Sequence, residues 1–222
     1  MIEDPLTEKL LSELNEEHFS ASLDTPMRED ALILNDTQKI EIIAEHFQQI
    51  MHTLGLDLTD DSLKDTPLRV AKMYVKEVFS GLNPANKPQA ALFDNKYQYN
   101  EMLVEKNITL YSYCEHHFVP IIGKVHVAYI SSNNKVIGLS KINRLVEYFA
   151  KRPQVQERLT NQIATKLKSV LNSEHIAIVI DAVHLCVSSR GIKDTNSSTI
   201  TSHYSGKFQD EKLKMEFLAL IK

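Results

Sequence analysis

Two runs, NITLYSY at 107–113 and KVHVAYI at 124–130, decide how this chain folds. In both, side chains alternate between apolar and polar, as half-buried strands require. The SSNN at 131–134 reads as a turn between strand segments. A third run, IAIVIDAVHLCV at 176–187, is almost continuously apolar and reads as a strand. Strand side chains repeat with period two, so Ile176, Ile178, Ile180 and Ala182 form one row, which His184 and Cys186 continue.

Outward from these strands the period changes to that of helices. Residues 138–140 lead into a helix with Ile142, Leu145, Val146 and Phe149 on one stripe. Pro153 opens another, with Val155, Leu159, Ile163, Leu167 and Val170 facing the core. The tail, 211–221, reads as helical after a polar, Ser/Thr-rich segment. Upstream, residues 38–54 place Ile40, Ile43, Phe47, Ile50, Met51 and Leu54 on a single face. Thr66 and Pro67 open a second helix carrying Val70, Met73, Tyr74 and Val78, with Gly81 as its stop. Pro84 and Pro88 mark a connector. The expected class is α+β, an antiparallel sheet with helices on one face. The expected division is an N-terminal helical region, 1–90, and a catalytic domain, 91–222.

Composition narrows the function. The 222 residues are 43% hydrophobic and 24% charged, with net charge −4, which counts against a broad nucleic-acid surface. No run approaches the ~18 apolar residues of a membrane span. The acidic MIEDP start has no apolar h-region, so no signal peptide is expected and the cytoplasm is the default compartment. Two cysteines in a reducing compartment stay thiols unless a metal or catalysis claims them.

The chemistry-bearing residues fall in four places. Cys114 and His117 lie three apart at a strand end and, if the chain turns there, can meet one ion together with Cys186. Thiolate and imidazole suit zinc, and three protein ligands leave a position open for water whose pKa the metal lowers. His116 and His184 are candidate acid/base groups beside it. The alternatives are two buried free thiols or a redox disulfide. The segment GLSKINR at 138–144 opens a helix, where free N–H groups and the dipole favour an anion. Ser140 lies at or near its N-cap, and Lys141 and Arg144 add positive charge. The plainer alternative is a capped helix with solvated basic residues. Arg190 is a second candidate phosphate contact. Glu157, beside Gln156, lies off its helix's apolar stripe. It is either a solvent-facing carboxylate at a favourable dipole end or an acceptor for the two N–H groups of a guanine edge.

Taken together, CEHH at 114–117, GLSKINR at 138–144, RPQVQERLT at 152–160 and DAVHLC at 181–186, with TPLR at 66–69, resemble the GTP cyclohydrolase type I family. The resemblance runs from about residue 36 to the C-terminus. It implies the tunnelling fold, in which sheets of several subunits join into a barrel, and a homodecamer with active sites between subunits. It implies that GTP and water give formate and 7,8-dihydroneopterin triphosphate, the entry to folate-type pterins. By position, Cys114, His117 and Cys186 are similar to the zinc ligands, and His116 and His184 to the catalytic histidines. Ser140, Lys141, Arg144 and Arg190 match positions near the triphosphate, Ser140 also serving later proton transfers. Gln156 and Glu157 match positions that recognise guanine.

Three rival readings have their own signatures. A zinc deaminase uses H-x-E with P-C-x-x-C, and this chain has no C-x-x-C. A tunnelling-fold relative acting on another pterin or deazapurine can use a cysteine nucleophile in place of zinc. A binding protein with a structural zinc needs a fourth protein ligand.

Overall fold

A computed structural model describes residues 22–89 and 91–222 of the chain. Helix α1, Asp36–Thr53, starts at Asn35, whose side chain accepts the Gln38 N–H while Gln38 reaches back to the Asn35 N–H. That reciprocal cap satisfies two of the donors every helix start leaves open. Helix α2, Thr66–Met73, has Pro67 in its first turn as expected and packs on α1. It continues as a wider π turn, Tyr74–Val78, and a short 3-10 turn, Ser80–Leu82. Gly81 is more than a stop signal. Its N–H donates to the Lys151 carbonyl, and a Cβ there would lie 2.1 Å from the Tyr148 carbonyl oxygen. Only glycine lets the helical region dock this closely on the C-terminal end of the next helix.

Among the described residues, strand β1, Leu92–Asp94, pairs only with β4, Lys135–Ile137. The main sheet comprises β2, Leu103–Cys114; β3, Pro120–Tyr129; β5, Pro153–Gln154; β6, Ile176–His184; and β7, Thr199–Tyr204. Its order is β5-β2-β3-β6-β7, antiparallel except for the parallel β2–β5 pair. Between β4 and β6 lie α3, Leu139–Ala150, and α4, Gln156–Leu171; α5, Glu211–Ile221, ends the chain. Helices α3 and α4 cover one face. There Ile142, Leu145, Leu159, Ile163 and Leu167 pack against Leu110, Val125, Val127, Ile178 and Ile180, all essentially buried.

Four sequence expectations change. The helices do not all lie on one face: Phe217 of α5 and Phe208 bury against Ala128, Ala177 and Val179 on the opposite side of the sheet. The Ser/Thr-rich segment contains an edge strand, β7. Pro153 does not open α4. Residues 153–154 instead pair with Tyr113 and Cys114, and the helix begins at Gln156. The strand expected over 176–187 stops at His184, and Leu185–Ser188 forms a helical turn. The cause is the partner strand: β3 begins at Pro120, and its last residue paired with β6 is Ile121, opposite His184. Beyond it the backbone finds its partners locally, Ser189 N–H donating to the Leu185 carbonyl. Among the described residues no helix is long and apolar enough to cross a membrane.

The sheet also buries titratable groups. A register shift between Glu105 and Ile108 bends β2, and the Asn107 N–H donates to Nδ1 of buried His126. Burial pushes His126, and likewise His175 and His203, below the ordinary value of 6.5. A lowered folded pKa means that below ~6.5 the unfolded chain binds more protons, so stability holds above that pH and falls as pH drops. Acidification from about 7.5 to about 5.5 should lower Tm, and His126→Gln should flatten that dependence. An unchanged slope in the variant, followed by thermal unfolding across that range, would refute the assignment to His126.

Candidate metal centre and cleft

The β2–β3 connection places the first two ligand candidates. Cys114 ends β2; its N–H donates to the Val119 carbonyl and its own carbonyl accepts from Phe118 N–H, both at 2.9 Å. The turn forces Phe118 to φ 54°, a left-handed backbone for an aromatic residue, which costs roughly 1–2 kcal/mol. Ring packing holds it: Phe118 meets Phe79 at 5.0 Å and Tyr74 at 6.3 Å, and Phe79 in turn meets Tyr113. The N-terminal helical region thus braces the turn from outside.

That turn folds His117 over Cys114, with Nδ1 3.9 Å from Sγ. The helical turn after β6 brings in the third group, so Cys186 arrives by a helical bend and not as the next outward residue of a pleated row. The ligand atoms of Cys114, His117 and Cys186 all lie within 4.8 Å of one another. In a tetrahedral site with bonds of ~2.0–2.3 Å, ligand atoms sit roughly 3.5–3.8 Å apart, so a small contraction would close the set on an ion. Two thiols and an imidazole are the donors zinc prefers. Burial, reinforced by the charge and hydrogen bond of neighbouring Cys114, pushes the Cys186 thiol up, with Arg190 opposing. A thiol kept protonated by its surroundings is one that metal binding must deprotonate.

Cys114 and Cys186 edge a cleft of about 550 Å³, which Ser22, His116, Gln154, Gln156, Glu157, Arg158 and His184 also line. Gln156, buried at the start of α4, gives its amide nitrogen to the Ile180 and Thr199 carbonyls and to Thr201 Oγ1. Its oxygen is thereby turned to His184 Nε2, 2.8 Å away, which makes Nε2 the protonated ring nitrogen of neutral His184 and leaves Nδ1 as acceptor. Burial pulls the His184 pKa down, and Glu157 pushes back. Glu157 itself is exposed, its carboxylate open to a ligand.

Arg190 donates to His117 Nε2 at 2.9 Å, so Arg190 belongs to this centre. Ser140, Lys141 and Arg144 do not line the cleft. They sit at the start of α3, whose N-cap is Gly138, with Ser140 inside the first turn and exposed. Arg144 borders a separate hollow with Gly81, Glu147 and Lys151. The larger hollow elsewhere, lined by Leu32, Asn35 and Pro84 among others, gathers no ligand set. Sequence reading missed the pair Glu115–Arg158, whose Oε2 and Nη1 lie 2.5 Å apart. The signal was present: a cation in the first turn of α4, where the dipole disfavours it.

Comparison with known proteins agrees with this geometry. A family model described as GTP cyclohydrolase I matches residues 43–222. A Flavobacterium johnsoniae protein named GTP cyclohydrolase 1 is 62% identical over 215 residues, 97% of this chain and 96% of that one. Proteins of the same name from Pectobacterium carotovorum and an Enterobacter strain are 50% identical over 210 residues, covering 94% of both chains, and 47% over 219, covering 98% of both.

Purified protein should take up zinc close to stoichiometrically, and Cys186→Ala and His117→Ala should each lose most of it in elemental analysis, because a three-ligand site has none to spare. Full zinc retention by Cys186→Ala would remove that residue from the ligand set.

Proposed function

The chain belongs to the GTP cyclohydrolase I family, and on that premise we propose that it is a zinc-dependent GTP cyclohydrolase converting GTP and water to 7,8-dihydroneopterin triphosphate and formate. The observation that carries the reading is the grouping of Cys114, His117 and Cys186 beside a cleft that Cys114 and Cys186 line together with His116, His184 and Glu157. Folate-type pterin synthesis starts from that product. The division into an N-terminal helical region, 1–90, and a tunnelling-fold catalytic domain, 91–222, belongs to the same reading; residues 1–21 and 90 lie outside the described residues.

Cys114, His117 and Cys186 would hold the zinc ion, which supplies Lewis acidity and a water acidic enough to act near neutral pH. The residues around it divide the remaining work. Glu157 accepts the two N–H groups of the guanine edge and thereby sets which ring carbon faces the metal. His184 is held by Gln156 at its Nε2, so its proton is oriented and its Nδ1 can accept one. It is the candidate to protonate the leaving ring nitrogen. His116 and the Ser140 hydroxyl are candidates for the later proton transfers that open and rearrange the ribose. Lys141, Arg144 and Arg190 bind the triphosphate as cations, Arg144 and Arg190 with bidentate geometry available to them.

The placement of these cations supports active sites shared between subunits of a homo-oligomer, proposed as a decamer. The α3 start does not line the cleft of its own chain. A substrate whose base meets Glu157 and whose phosphates meet Lys141 and Arg144 would then bridge two chains. The reading involves no nucleic-acid or membrane partner and places the protein in the cytoplasm.

Incubating the zinc-loaded protein with GTP should release formate and, after oxidation, give a fluorescent pterin; folded, zinc-loaded protein that yields neither overturns the proposal. Glu157→Ala removes two charge-assisted hydrogen bonds, each ~1.5–3 kcal/mol, so kcat/KM for GTP should fall at least ~100-fold with zinc content unchanged. His184→Ala should lower kcat by ~10²–10⁴-fold. Near-normal steady-state kinetics in either variant would remove that residue from its role.

A further inference from the structure

The third residue of α4, Arg158, is placed where its charge is least welcome. Its side chain is 4% exposed. It also sits in the first helical turn, where the dipole already presents positive potential. Desolvating a guanidinium costs several kcal/mol unless a counter-charge and hydrogen bonds replace the water. Here they do. Nη1 meets Glu115 Oε2 at 2.5 Å, Nη2 lies 3.4 Å from Oε1, and Nε donates to the Ser22 carbonyl at 3.1 Å. A buried pair of this kind adds little net stability relative to apolar residues of the same volume. What it supplies is direction: a planar fork fixes a carboxylate in both distance and orientation.

The carboxylate it fixes lies within the metal-binding turn. Glu115 follows ligand Cys114, precedes His116 and stands two residues before ligand His117. Its N–H donates to the Gln154 carbonyl at 3.0 Å, so backbone and side chain both tie it to the segment leading into α4. Its Oε1 lies 3.8 Å from His116 Nε2. The helix start bearing Gln156 and Glu157 is thereby coupled through Arg158 to the turn bearing Cys114, His116 and His117.

We propose that Arg158 is a positioning residue: through its ion pair with Glu115 it holds the 114–117 turn against the start of α4, and so sets the metal-ligand geometry and the orientation of His116. The pair acts through the turn that carries the ligand candidates. The proposal rests on the metal reading of Cys114, His117 and Cys186, but not on the identity of the substrate.

Four variants test it: Arg158→Lys, Arg158→Met, Glu115→Gln and the double variant Glu115→Gln/Arg158→Met. Zinc affinity is read by chelator competition without GTP, the ligand field by the visible spectrum of the cobalt(II)-substituted protein, and folding by thermal unfolding of the metal-free protein. Residues that orient metal ligands typically contribute ~10–100-fold in affinity. We expect a loss in that range for Arg158→Met and Glu115→Gln, with altered cobalt absorption. Arg158→Lys should not restore the wild-type spectrum, because an ammonium cannot reproduce the fork. The double variant should lose no more than the worse single one, as expected of two groups acting as a unit. Where GTP turns over, kcat should fall more than KM rises.

Arg158→Met removes the partner of the part-buried Glu115 carboxylate and can fail to fold; the gentler Arg158→Lys and Glu115→Gln then carry the test. Folded variants with zinc affinity within about twofold of wild type and an unchanged cobalt spectrum overturn the inference. Wild-type protein that binds no metal overturns it together with the metal reading. Wild-type protein that binds zinc but releases no formate overturns the cyclohydrolase reading alone, and the variants' metal affinities still decide the role of Arg158.

Discussion

The two backbone hydrogen bonds that close residues 114–119, Cys114 N–H to Val119 and Phe118 N–H to Cys114, are what the site depends on. They convert the end of β2 into the start of β3 and in doing so stack His117 over Cys114. The same reversal begins β3 at Pro120. That start determines where β6 loses its partner and where the chain must curl. Had β3 begun two residues earlier, β6 could have stayed extended through Cys186. The thiol would then have followed the pleat outward instead of bending back to the other two ligands. One turn therefore fixes two candidate ligands directly and the third through the length of a ladder.

Holding such a turn has a cost, and its surroundings are arranged to meet it. The left-handed Phe118 is wedged among Phe79 and Tyr74, which belong to the helical region. That region is itself docked on α3 through the close approach at Gly81. Ring packing of this kind contributes about 0.5–1.5 kcal/mol per pair beyond burial, comparable to the backbone strain it offsets. The helices upstream of the sheet thus act on the candidate metal centre through the turn that carries it. On the opposite side the turn is tied to α4 by Glu115 and Arg158.

Much of this was legible in the sequence. Most helices, strands β2 and β3 and the candidate-site segments have strong periods or specific residue types, and local pattern is enough to find them. What escaped depends on partners far away in sequence. The helical turn at 185–188 hides inside an apolar run, because only the position of Pro120 on another strand ends the ladder. Strand β7 was missed because it lies at the sheet edge, where Ile200 remains 65% exposed and little alternation is imposed. The buried carboxamide of Gln156 reads locally as one more polar residue at a helix start. Its four partners come from β6 and from the segment around β7. The ion pair of Glu115 and Arg158 spans 43 residues and left only the indirect sign of a cation at the wrong end of a helix.

The uncovered part of the sheet bears on how a site of this kind becomes complete. On the face that α5 covers at one end, Tyr111 and Ile122 pair side by side at the other and stay 63% and 39% exposed. Beside β6, the edge strand β7 has one edge unpaired among the described residues. Exposed apolar surface and an unpaired strand edge are each suited to a second sheet. Of the cations at the start of α3, Arg144 is exposed and Lys141 half-buried, and both lie outside their own chain's cleft. In the assembly proposed above, a neighbouring subunit would cover the first two features and bring the third to the metal. The metal, the acid/base histidines and Glu157 come from one chain and most of the phosphate charge from another. On that arrangement oligomer formation is a step in building the active site, and a folded single subunit would hold the metal while gripping only half of the substrate.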